Sequence, residues 1–113
     1  MEFQRYEAPT NVLAGDFATF PLDSGPGTFI VHVFGALATG QTLRVRVLCR
    51  SNYVQAVGTY YVIEDVTLSP HGGHQSGYQS LPIPMLDDQW SFYVLVELFG
   101  GVDADISYVA LKL

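Results

Sequence analysis

Three long stretches in the second half of the chain, residues 41–50, 59–68 and 89–99, alternate or run apolar at a period of two, and residues 104–113 follow the same style. Period two is the repeat of an extended strand, whose successive side chains point to opposite faces. Turn residues bound each stretch, and no 3.6-residue repeat lies between them, so the chain is expected to be all-β. Residues 42–50 give the cleanest division of faces. Leu43, Val45, Val47 and Cys49 share one side, and Arg44, Arg46, Leu48 and Arg50 share the other.

The remaining segments fit the same reading. Residues 1–9 form an arm or edge strand that Pro9 ends, with Phe3 and Tyr6 as its apolar anchors. Short apolar segments at 12–14 and 17–20 precede a dense turn signal at 23–27, and a strand spans 28–34. A short strand is expected at 53–57, a polar glycine-rich loop at 69–77, and another short strand at 78–83, where Pro82 and Pro84 suit a sheet edge. About eight strands and no helix make a single-domain, two-sheet antiparallel β-sandwich over residues 1–113. Leu43, Val45, Val47, Trp90, Phe92, Val94 and Val96 are its expected core.

Two strands are apolar on both faces. Tyr93, Leu95 and Phe99 oppose the Trp90–Leu98 face, and Ile30, His32 and Phe34 oppose Phe29, Val31 and Val33. Only one face of a sandwich strand meets the core, so the other is expected to be covered by a loop, a subunit or a partner. With 49% hydrophobic and 14% charged residues, the chain is also sparse in charge for a surface that meets only water.

Composition narrows the function classes. The net charge is −6 and the basic residues cluster only at Arg44, Arg46 and Arg50, which argues against a nucleic-acid partner. No apolar run is long enough to span a membrane, and the first residues lack the pattern of a signal peptide, so folding in a reducing cytoplasm is expected. A single cysteine, Cys49, excludes an internal disulfide and reads as a small buried hydrophobe.

Catalytic and metal signatures are weak. His71 and His74 lie three apart without the third and fourth ligands zinc needs. The pairs Asp87–Asp88 and Asp103–Asp105 sit where aspartate serves turn chemistry. Ser76 lacks the glycine of a nucleophile elbow, and 25–27 does not open a helix as a phosphate loop would. Neither enzyme activity nor a cofactor is expected. The aromatic residues remain, because the C–H faces of pyranose rings stack on exposed rings. Tyr53, Tyr60, Tyr61, Tyr78 and Tyr93 are the candidates, and Trp90 shares the parity of the core.

The order Thr28-Phe29-Ile30-Val31-His32-Val33, Gln41 to Val47, Tyr60-Tyr61-Val62-Ile63, Asp88 to Val96 and Ile106 to Leu113 resembles the jelly-roll sandwich of carbohydrate-binding modules. A small, acidic, free-standing jelly roll also resembles the cement or decoration proteins of tailed-phage capsids. That resemblance implies a structural protein of the virion, assembled in the host cytoplasm, whose partner is the major capsid protein and which forms a homo-oligomer, a dimer being favoured. Its attachment surface is expected at Phe3, Tyr6, His71, His74 and Tyr78. The alternative is a carbohydrate-binding module or lectin-like domain contacting sugar through Tyr61 and Tyr93.

Overall fold

The computed structural model describes the backbone of residues 2–21, 27–51, 60–85 and 90–112 and the side chains of residues 9–20, 27–50, 60–84 and 91–112. Among them are nine strands: β1 (Glu2–Val12), β2 (Phe17–Pro21), β3 (Gly27–Gly35), β4 (Thr42–Ser51), β5 (Tyr61–Leu68), β6 (Ser76–Gln79), β7 (Ile83–Met85), β8 (Trp90–Phe99) and β9 (Ala104–Lys112). One sheet has the order β1-β9-β3-β6, with β7 also pairing β3, and the other has the order β2-β8-β4-β5. Every pairing is antiparallel. The pairs nest in sequence: β4 with β5, β3 with β6 and β7, β2 with β8, and β1 with β9. Such nested pairs, wound between two sheets, are a jelly roll.

Alternation fills the space between the sheets. From β4 and β8, Leu43 faces Leu98 in register, Val45 faces Val96, Val47 faces Val94 and Cys49 faces Phe92, and all eight are buried. Phe29, Val31 and Val33 of β3 and Ile106, Tyr108 and Ala110 of β9 bury the opposite layer. Each such aliphatic side chain contributes about 1.5–3 kcal/mol relative to exposure. Phe20 of β2 and Tyr108 of β9 stack across the layers, with ring centroids 5.2 Å apart and planes 4° from parallel. Six of the seven expected core residues are therefore in the core; the side chain of Trp90, the seventh, lies outside the described residues. Desolvation pushes the buried Cys49 thiol above its ordinary range, so it stays protonated and behaves as a small hydrophobe.

Two expected boundaries are corrected. Pro9 does not end the first strand: β1 continues to Val12, and its register with β9 shifts between Glu7 and Thr10. The irregularity accommodates a residue with no N–H to donate, and β1 is an edge strand. The segment expected as one strand at 78–83 is two. Gln79 pairs with His32 and Ile83 with Phe29, and between them Ser80 keeps hold of β3. Its N–H donates to the Val31 carbonyl at 2.9 Å, and its Oγ accepts from the Val31 N–H at 2.9 Å. The strand expected at 53–57 lies outside the described residues.

Two buried polar side chains tie loops to the sandwich. Gln41, only 1% exposed, accepts from the Ala38 N–H at 3.0 Å and donates through Nε2 to the carbonyls of Gly100, at 3.0 Å, and Val102. Ser76 donates to the Ser69 carbonyl at 2.6 Å and closes the loop before β6. At that loop's tip Gly72 and Gly73 have φ of +48° and +90°, the left-handed pair of a two-residue hairpin turn.

Candidate functional site

The register of the four-stranded sheet fixes what its outer face presents. One row runs Phe17, Glu97, Arg44 and Thr67 across β2, β8, β4 and β5, and the next runs Thr19, Leu95, Arg46 and Asp65. The third row sets Tyr93 opposite Leu48 and Leu48 opposite Val62, and beyond it Ser91 faces Arg50. The charged residues mostly settle one another. Arg44 grips Asp65 bidentately, Nε to Oδ1 at 3.0 Å and Nη2 to Oδ2 at 2.6 Å, and Arg46 pairs with Glu97. The hydrogen bond to Arg44 holds the Asp65 carboxyl below its usual range.

What remains is an apolar, aromatic depression of about 340 Å³ lined by Phe17, Thr19, Leu48, Tyr60, Tyr93 and Leu95. Phe17 is 63% exposed. Tyr60 meets Tyr93 edge to face, with centroids 5.9 Å apart and planes at 78°, an arrangement favoured by the ring quadrupoles. Two aromatic rings at an angle, flanked by the Arg46–Glu97 pair, can take a flat apolar ring face while donors and acceptors at the rim meet polar substituents. Here lies the physical reason for the doubly apolar β8: its inner face fills the core and its outer face floors this depression.

A second depression, about 240 Å³, opens at the sandwich edge among Ile63, Glu64, Leu81, Pro82, Ile83, Pro84 and Phe92. Its carboxylate is already engaged: Glu64 accepts from the Tyr78 hydroxyl and from the Leu81 N–H, the latter at 3.2 Å. Burial, reinforced by Glu64, pushes the Tyr78 phenol well above its ordinary range.

The sequence-derived site residues do not converge. Tyr78, expected on the attachment surface, is 8% exposed and belongs to the core, because the parity of β6 turns it inward with Ser76. His71 and His74 face each other across their hairpin turn, exposed, with the His74 N–H donating to the His71 carbonyl at 3.0 Å. The side chains of Phe3 and Tyr6 lie outside the described residues. Tyr93 does line the depression. Tyr61 is 51% exposed but lies opposite Cys49, on the other parity from Leu48 and Val62. One extra residue, Ile63, between the Leu48–Val62 and Val47–Glu64 pairs causes that switch, and Tyr60 becomes the ring that joins Tyr93. Asp103 and Asp105, expected to serve their own turn, instead bond to the end of β1 and the residues after it, accepting from the Ala14 N–H at 3.2 Å and from Asn11 Nδ2 at 3.1 Å. Among the described residues no three of His, Cys, Asp and Glu group as metal ligands.

The fold is an antiparallel jelly-roll β-sandwich like that of carbohydrate-binding modules. Among solved structures it is similar to the carbohydrate-binding module TmCBM61 in complex with β-1,4-galactotriose, with a TM-score of 0.59 and 12% identity over 93% of this chain and 70% of that one. No protein-family model and no curated protein sequence matches the chain. The likeness bears on the carbohydrate-module side of the resemblance seen in the sequence and offers nothing for the capsid-decoration side.

Proposed function

We propose that this chain is a carbohydrate-binding domain and that the outer face of its four-stranded sheet is the glycan platform. The observation that carries the reading is the Tyr60–Tyr93 pair opening into an apolar depression on an exposed sheet face. An exposed apolar and aromatic depression of this kind suits the docking of something flat and partly apolar. The module's galactotriose makes β-galacto-oligosaccharides the first ligands to try.

The test is calorimetry against a glycan panel that includes β-1,4-galactotriose, with Tyr93→Ala and Tyr60→Ala as variants. Saturable binding that each variant weakens about tenfold or more supports the platform, the loss typical of truncating a central aromatic contact. No binding to any glycan, with the wild type folded, rejects it. A second reading, docking onto a phage capsid, draws on the other depression, where Leu81 is 72% exposed. It requires association with a shell that Leu81→Asp abolishes and Tyr93→Ala leaves intact.

A further inference from the structure

We infer that the glycan taken up at the Tyr60–Tyr93 face carries an anionic group, a carboxylate or sulfate, that binds the guanidinium of Arg50. The inference rests on the platform reading and sharpens it. Three of the five Lys and Arg residues of a chain with net charge −6 lie on the outer face of one strand, β4. Arg44 is committed to Asp65 and Arg46 to Glu97. Arg50, half-buried, is the one of the three with no acidic partner among the described residues; its Nε, like that of Arg46, is buried without an acceptor.

Among the described residues no carboxylate offsets the partial withdrawal of Arg50 from water. A carboxylate or sulfate supplies the counter-charge at the open Nη edge of the guanidinium, a planar donor set that suits paired anionic oxygens. Position agrees with charge. Arg50 follows Leu48 by two residues on the same face, about 7 Å along the strand, and Leu48 is in register with Tyr93. Arg50 is thus the next residue on this face beyond the Leu48–Tyr93 pair, at the margin of the depression that Tyr93 lines. The overall negative charge opposes approach only weakly, since exposed charges are screened over about 8 Å at physiological ionic strength.

The test compares trigalacturonate with its methyl ester, which share one backbone and differ in charge, beside β-1,4-galactotriose and a sulfated galacto-oligosaccharide. The expected result is that trigalacturonate or the sulfated sugar binds about ten- to a hundredfold more tightly than its neutral counterpart, the range of a hydrogen-bonded charge contact. Arg50→Gln removes that advantage and leaves the neutral sugars unchanged. Which anionic sugar shows the dependence tells carboxylate from sulfate. On the wild type alone, added salt should weaken the anionic ligand and spare the neutral one, a readout independent of how well the variant folds. Equal affinity for charged and neutral partners, or an Arg50→Gln loss shared equally by both, overturns the inference while the platform stands. If no sugar binds at all, the platform itself falls and this inference with it.

Discussion

Replacing Gln41 with Leu tests whether one buried amide joins two ends of the sandwich. Leu has nearly the volume of Gln, so the substitution adds little cavity or overpacking and isolates the three hydrogen bonds the amide makes to Ala38, Gly100 and Val102. Each is worth about 1 kcal/mol net, and a partner left unpaired costs more when buried. Ala38, Gly100 and Val102 are themselves exposed residues, so water takes over part of the loss. The sum is about 2–4 kcal/mol. For a domain of this size that lowers the melting temperature by about 8–16 °C, and it moves the urea midpoint by about 1–2 M with an unchanged slope. Urea titration followed by far-ultraviolet circular dichroism reads both. A loss below about 1 kcal/mol would refute the reasoning, since it would mean that solvent replaces the amide at no cost and the β3–β4 and β8–β9 connections are held independently.

Gly35→Ala should destabilise by about 1–3 kcal/mol, because a Cβ there would sit 2.7 Å from Ile106 Cδ1 and 2.8 Å from the Asp105 carbonyl oxygen; an unchanged urea midpoint would contradict it. Ser80→Ala removes the acceptor of the Val31 N–H and should cost about 1–3 kcal/mol, with faster amide exchange at Val31 as the local signature. The raised phenol of Tyr78 makes stability fall with alkali. Below pH 10 the phenol is protonated both folded and unfolded and its contribution is complete; above pH 10 the unfolded chain loses the proton first, so stability drops as pH rises toward the folded-state value. Urea midpoints between pH 9 and 11 should show a steeper decline for wild type than for Tyr78→Phe, and parallel curves would refute it.

Periodicity made the layers legible because a buried sandwich strand must alternate. The inward set of β4 and β8 could be named from the sequence residue by residue, down to Cys49. Turn chemistry was legible at Gly100–Gly101, where φ is +80° and +66°. Proline was a poorer guide. It marks where a ladder bond is missing, and an edge strand with a register shift tolerates that loss, so β1 runs through Pro9, while Pro82 lies between β6 and β7 and Pro84 sits inside β7 opposite Thr28. The site was half visible. An apolar second face on β8 pointed to a covered surface, and Tyr93 was named for it, but pairing Tyr93 with Tyr60 required the extra residue at Ile63, and no local pattern announces a register shift. Tyr78 misled for a related reason: a glycine-rich neighbourhood reads as a surface loop, whereas its parity was set by β3, more than forty residues earlier in the chain.

The β1–β9 pairing sets Glu2 opposite Lys112 and Val12 opposite Ala104. The first strand of the described chain therefore waits for the last before its ladder can form, and each nested pair outside β4–β5 spans a longer stretch of chain than the pair within it. Contacts of such high sequence separation demand that chain entropy be surrendered before they reward it, which places folding in the slow range of milliseconds to seconds. Through that interval β9 has one vacant flank, and any second chain that offers a strand competes with β1 for it. Joining residue 112 back to residue 2 through a short linker and opening the chain elsewhere would turn the outermost pair into a local hairpin, and refolding would accelerate even though every native contact stayed the same.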